Sequence, residues 1–182
     1  MKIIDQKDIN SIQNAAEVLK SGGILVFPTD TVYGVGCALD EAAITRLYQI
    51  KNRPLTQPTA ILMNKSDVPE LLQKEYKKYP AGSVTIIADA KKYNINFPKV
   101  LLKDNKIGVR LPNDAWLKKL ISIMGPIVAS SANLAGESTP KKFSDISSKL
   151  LKQVDLAIKS DQISTTSHST VYDVEENLII RN

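Results

Sequence analysis

The sequence predicts an α/β fold, a mixed sheet with flanking helices in one domain spanning residues 1–182. Three observations predict it. Short apolar runs bounded by glycine, proline or polar clusters recur along the chain, among them "ILVF", "TAILM", "SVTIIAD", "IGVRLP" and "IVASSAN", and each reads as a strand. Stretches with apolar residues at helical spacing lie between them, alternating too irregularly for a simple doubly wound order. A chain of 182 residues with 43% apolar content has the size and core of one domain.

Taken in order, Asn10 to Lys20 carries Ile12, Ala15, Ala16, Val18 and Leu19 at amphipathic spacing and predicts a short helix ended by Ser21-Gly22-Gly23. Ile24 to Phe27 follows as a fully buried strand of parallel-sheet type. After the polar knot Thr29-Asp30-Thr31, "VYGVGCAL" reads as extended, with Gly34 and Gly36 admitting another backbone or a ligand. Asp40 is the expected N-cap of "EAAITRLYQIK", which Pro54 stops from continuing. Beyond Pro58 the order is "TAILM" as strand, "SDVPELLQKEYKKY" as helix with Ser66 near its start, then "SVTIIAD" and "IGVRLP" as strands. Asn113 is the expected cap of "DAWLKKLISIM", and "IVASSAN" is a strand running into a polar loop. A helix near Ser144 to Lys152 precedes the strands "VDLAIK", "STVYDV" and "NLIIRN", the last two forming a hairpin across Glu175 to Asn177.

Composition excludes several functions. One cysteine, Cys37, forbids an intramolecular disulfide, and with the single histidine, His168, it makes no usual structural zinc set. Cys37 in its apolar context reads as a core residue, and His168 is ambiguous. No membrane span or signal peptide is recognisable, so a cytoplasmic location is expected. The net charge of +5 favours anionic ligands, nucleotide or RNA, although the lysine dyads read as a solvated face. The phosphate loop "GxxxxGK[ST]" and the dinucleotide "GxGxxG" are both missing.

The chemistry concentrates at strand ends. Thr29-Asp30-Thr31 is read equally well as a turn or as part of a ligand crevice, since loops after such strands bind ligands. "SSAN", Ser130 to Asn133, is a second polar loop after an apolar strand, which suggests that the two share one crevice. Lys51 and Arg53, at a helix end, either complement the helix dipole or converge on phosphate. Arg110 is a cation inside a short apolar strand and should reach solvent or a buried anion.

Taken together, "GGILVFPTDTVYGVGCAL", "KNRPLTQP", "GVRLP", "VASSANLAGESTP" and "STVYD" resemble, in order and over nearly the whole chain, the YrdC/TsaC family of threonylcarbamoyl-AMP synthases. The resemblance implies an open, twisted sheet with a positively lined cavity. It implies condensation of L-threonine, bicarbonate and ATP, carried with Mg2+, to threonylcarbamoyl-AMP and pyrophosphate for tRNA modification. It carries catalytic roles to Lys51 and Arg53. ATP contacts fall on these two and on Gln57, Ser131, Asn133, Thr139 and Arg181, and threonine contacts on Thr29, Thr31, Arg110 and Ser169. The short, single-domain form is expected to work with separate tRNA threonylcarbamoyl-transferase proteins. The chain departs from the family pattern at Thr59, in "YPAGSVT", in the glycine-poor loop "SDQISTTSHSTVYD" and at Asn182. Two alternatives stand beside this reading: a non-catalytic module binding double-stranded RNA or tRNA on the same fold, and a carbamoyl-transfer domain related to hydrogenase maturation proteins.

Overall fold

The computed structural model describes residues 1–57, 59–161 and 168–181. Its ten strands are β1 Lys2–Asp5, β2 Leu25–Phe27, β3 Gly34–Ala38, β4 Ala60–Leu62, β5 Val84–Asp89, β6 Lys106–Arg110, β7 Ile127–Ser131, β8 Leu156–Lys159, β9 Thr170–Asp173 and β10 Leu178–Arg181. They form one mixed sheet in the order β1-β8-β2-β3-β7-β4-β6-β5-β9-β10. The helices are α1 Ser11–Lys20, α2 Glu41–Ile50, α3 Glu70–Tyr76, α4 Ala115–Met124 and α5 Ser148–Leu151.

The strand β2 is buried on both faces because alternate residues serve different layers. Ile24 and Val26 join the larger core, with Ile44, Leu47 and Tyr48 of α2, Leu72 of α3 and Leu150 of α5. Leu25 and Phe27 point the other way, to Ala15, Ala16 and Leu19 of α1 and Leu117, Leu120 and Ile121 of α4. A continuous apolar run is what a strand between two helical layers requires. Its neighbours differ in direction: β2 is parallel to β8 and antiparallel to β3.

Local signals explain most element ends. The Asp40 carboxylate accepts from the Ala43 amide at 2.9 Å and starts α2. The cap of α4 is Asp114, accepting from the Leu117 amide at 2.7 Å, rather than Asn113. Asp114 sits one residue closer to the first turn, and the Asn113 amide is engaged elsewhere. The helix expected from Ser66 begins only at Glu70, because Pro69 occupies the N-cap with φ −52° and ψ 139°, and Ser66 lies in a separate 3-10 turn. The strand β1 was not expected from the sequence. The hairpin over Glu175 to Asn177 is present. Pro58, residues 162–167 of the glycine-poor loop and Asn182 lie outside the described residues.

Gly36 marks the tightest crossing in the sheet. A Cβ there would stand 2.4 Å from the Val128 carbonyl oxygen and 3.2 Å from the Phe27 ring. A backbone atom cannot step aside as a flexible side chain does. Gly36→Ala is therefore expected to cost about 1 to 3 kcal/mol by overpacking, measured as a lower denaturant midpoint at unchanged m-value.

Candidate active site

The two faces of the sheet are not covered equally. Val84, Ile86 and Ala88 of β5 and Ile107 and Val109 of β6 are buried in the larger core. Their alternating partners Thr85, Ile87, Lys106, Gly108 and Arg110 face a cavity of about 740 Å³ on the other side. Gly34, Ala60 and Ala129 continue its wall across β3, β4 and β7. The strand "KIGVR" thus presents two apolar residues to the core and a lysine, a glycine and an arginine to the cavity.

The loop after β2 crosses over this open face. Thr29 shapes it: its hydroxyl accepts the Thr31 amide at 3.1 Å and donates to the Val32 carbonyl at 2.7 Å. Asp30 then reaches β6. One carboxylate oxygen lies 2.8 Å from Nη2 of Arg110, and the other accepts the Asn113 amide at 3.1 Å. The Nε of Arg110 donates to the Gly82 carbonyl at 3.2 Å. Gly82 adopts φ +80°, and a Cβ there would fall 1.6 Å from an Asp30 oxygen, so glycine is required twice over. Burial pulls the Arg110 guanidinium below its ordinary value, and Asp30 opposes the shift. Arg110 remains charged, as an arginine does.

A second cationic wall faces it. Arg53 and Arg181 both line the cavity. Arg53 donates through Nε to the Gln57 carbonyl at 2.9 Å and lies 6.0 Å from the Tyr48 ring centre. Arg181 donates to the Ser169 carbonyl at 3.0 Å. Burial, and next the Arg53 charge, lowers its pKa. The Ser169 hydroxyl is 2.8 Å from that of Thr85, the residue in register with Arg110. Three guanidiniums and at least five hydroxyls therefore surround one space.

A cavity of this kind on a mixed sheet has known relatives. The Sua5/yciO/yrdC family model, described as telomere recombination, matches residues 17–182. The chain belongs to the Sua5/YciO/YrdC family. It is 28% identical to the threonylcarbamoyl-AMP synthase of Pseudoalteromonas translucida, over 96% of this chain and 98% of that protein. It is 30% identical to the threonylcarbamoyl-AMP synthase of Pyrococcus abyssi, over 91% of this chain but only 51% of that longer protein. The crystal structure of P. abyssi Sua5 complexed with L-threonine matches with a TM-score of 0.78 and 29% identity, covering 90% of this chain and 51% of that one. E. coli YciO matches with a TM-score of 0.81 and 26% identity, covering the whole of this chain and 93% of that one.

Within this member of the family, the residues singled out from sequence divide into two groups. Thr29, Thr31, Arg53, Arg110, Ser131, Ser169 and Arg181 line the cavity. Lys51, Gln57, Asn133 and Thr139 are not part of that lining, Lys51 being buried behind it and Gln57 exposed. Lys51 is only 5% exposed, and its ammonium donates to the carbonyls of Ser131 and, at 2.7 Å, Asn133. The Asn133 amide donates to the carbonyls of Leu134 and Glu137, at 3.1 and 2.8 Å, while its buried Oδ1 has no hydrogen-bond partner among the described residues. Gln57 offers its backbone carbonyl to Arg53, and Thr139 pairs with His168 at 2.9 Å. Lys51 thus clamps the "SSAN" loop from behind. Gly82 and Thr85, kept at the family's places within the otherwise departing stretch "YPAGSVT", also shape the site, Thr85 as a hydroxyl at a cavity-facing position of a largely apolar strand. Cys37 is buried, its thiol pushed up to about 12 by burial first and Asp40 second, and it is inert at neutral pH.

Two outcomes follow from this geometry. Asp30→Asn leaves the Arg110 charge buried beside a neutral amide and is expected to cost about 3 kcal/mol. Adding Arg110→Met should recover much of that loss in a double-mutant cycle read by denaturant unfolding, whereas simple additivity would show the pair to be uncoupled. Burial, and next the Arg53 charge, lowers the Lys51 pKa from 10.5 to about 8. Between those pH values the unfolded chain binds a proton that the folded chain has released, so Lys51 makes stability rise with pH across that interval. The unfolding midpoint of Lys51→Met should lack this rise when compared with the unmodified protein from pH 7 to 11.

Proposed function

We propose that this chain is an L-threonylcarbamoyl-AMP synthase, joining L-threonine, bicarbonate and ATP to threonylcarbamoyl-AMP and pyrophosphate. The convergence of Arg53, Arg110 and Arg181 on one hydroxyl-lined cavity carries the reading, because every reactant is anionic or has an anionic end. The family relatives named for this activity, and the P. abyssi relative crystallised with threonine, support it.

The two walls divide the work. Arg110 holds Asp30 with Nη2 and Gly82 with Nε, which leaves Nη1 for the threonine carboxylate. Thr31 and Ser169 flank that position from the overlying loop and from β9, and Thr29 keeps the loop in shape. Arg53 and Arg181, with the Ser131 hydroxyl, receive the phosphates of ATP and the charge that spreads over them as pyrophosphate leaves. Lys51 and Asn133 act from behind by fixing the Ser131–Asn133 backbone, and Gln57 and Thr139 orient Arg53 and the opposite rim. Magnesium accompanies ATP on phosphate and water oxygens, since guanidiniums and hydroxyls dominate the proposed phosphate wall. No protein nucleophile is needed: the carbamate of threonine attacks the α-phosphate, and the protein aligns and neutralises.

The product would feed tRNA modification through separate threonylcarbamoyl-transferase proteins in the cytoplasm, where ATP and tRNA are supplied. RNA binding as the sole function is not favoured, because the relatives that the chain resembles are named for the synthase activity. Incubation with ATP, threonine and bicarbonate should give threonylcarbamoyl-AMP by mass spectrometry and pyrophosphate in equal amount. Absence of the adenylate, with RNA binding that falls steeply with salt, would favour the RNA module instead. Arg110→Lys should keep ATP affinity yet bind threonine at least tenfold more weakly, because lysine cannot hold Asp30, Gly82 and a carboxylate together. Calorimetric titration of threonine into the ATP-saturated variant checks this, and an unchanged affinity would make Arg110 purely structural.

A further inference from the structure

The single histidine of the chain lines the cavity and has no part in the scheme above. Nε2 of His168 is 2.9 Å from the Thr139 hydroxyl, in the loop after β7. The next residue, Ser169, contacts Thr85 through its hydroxyl and Arg181 through its carbonyl. His168 therefore stands at the joint between the threonine side and the phosphate side of the proposed site. If Nε2 carries the proton and donates it to Thr139, Nδ1 keeps a lone pair, and among the described residues nothing bonds to it.

We propose that His168 accepts the proton released when threonine becomes a carbamate. The proposal rests on the synthase reading of the cavity. Threonine enters as an ammonium ion. One of its protons passes to Nδ1, and the freed nitrogen lone pair forms the bond to the bicarbonate carbon. The carbon–hydroxyl bond breaks, and that hydroxide leaves as water with a second proton from nitrogen. One ammonium, one bicarbonate and one neutral imidazole thus give a carbamate anion, water and an imidazolium, with charge conserved.

Elimination supports the assignment. Guanidiniums accept no proton, and Lys51 is turned to backbone carbonyls outside the lining. Asp30 is held by Arg110 and the Asn113 amide. Asp173 and Glu176 share Lys106, and Asp104 lies in the turn before β6. Among the described residues, the groups facing His168 are Thr139 from the loop after β7, Ser169 from its own segment, and Arg181 from β10 with Arg53 beyond it. Burial, and next the Arg181 charge, lowers the imidazole pKa, so the ring is neutral and ready to accept near neutral pH.

The unmodified protein is assayed first for threonylcarbamoyl-AMP. No product overturns the synthase reading itself. With product formed, kcat should rise through one ionisation below the ordinary histidine value of 6.5, and a flat profile there overturns the proposal without any variant. His168→Gln keeps a donor toward Thr139 but has no titrating lone pair. It should retain the melting temperature and ATP affinity while losing about 100-fold in kcat near neutral pH. The loss should shrink as pH rises toward about 9, where threonine begins to surrender its own proton. Added imidazole should restore part of the His168→Ala activity. Turnover of the Gln variant within threefold of the unmodified protein would make His168 a positioning residue for Thr139. A pH-independent loss without imidazole rescue would make it structural.

Discussion

The ion pair between Asp30 and Arg110 is the contact on which the candidate site depends. It joins a loop that leaves β2 to a strand four places away in the sheet, and the same carboxylate binds the amide that precedes α4. The right-handed twist of successive strands turns the exit of β2 across the open face, which brings the loop over β6. A buried pair of this kind contributes little net stability against an apolar replacement, because both ions have been desolvated. Its value is positional. A hydrophobic contact would let the loop slide, whereas the fork of Arg110, set by Gly82 on one arm and Asp30 on another, fixes loop and strand together.

The open face exists because the helices are distributed unevenly. On one side α2, α3 and α5 pack against strands from β2 to β5, and on the other α1 and α4 shield chiefly β2, β7 and β8. The uncovered strands keep most of their apolar residues on the covered side and place glycine, threonine, arginine and lysine, with Ile87, on the other. A uniformly apolar β5 and β6 would have called for a third layer of helix. The period-two alternation in "KIGVR" is therefore both a folding instruction and the record of a cavity.

Much of this was written plainly in the sequence. The continuous apolar run at Ile24 to Phe27, the Asp40 cap and the terminal hairpin depend on local chemistry, and local chemistry is what a sequence displays. What stayed hidden depends on distance. The strand β1 has only Ile4 buried among four residues, so its apolar pattern is too thin to see, and it is held by parallel pairing to β8 near the other end of the chain. Lys51 looked like a cation at a helix end and is one, but its partners are carbonyls 80 and 82 positions later. Asn113 and Asp114 are both good caps. Asp114 takes the role, while the backbone N–H of Asn113 is tied to Asp30 from across the molecule. Arg110 was legible because a cation inside an apolar strand demands a partner, and Thr29 because it stands in a polar loop at a strand end, whereas Ser169 was legible only through the family resemblance, and its contact with Thr85 joins residues 84 positions apart.

The cations also set the character of the ligand. Burial lowers the pKa of Arg110, Arg181 and Lys51 alike, and within each of these three a neighbouring guanidinium adds to the lowering. Lys51 meets the cost by filling carbonyls and with a pKa lowered to about 8, whereas arginine cannot shed its proton and is stabilised by an anion, as Arg110 is by Asp30. Among the described residues, the wall acids Asp173 and Glu176 are committed to Lys106. Under the proposed placement of ATP, a phosphate chain between Arg53 and Arg181 would relieve the repulsion between these cations as well as add attraction, whereas a neutral ligand of the same shape would gain only contact.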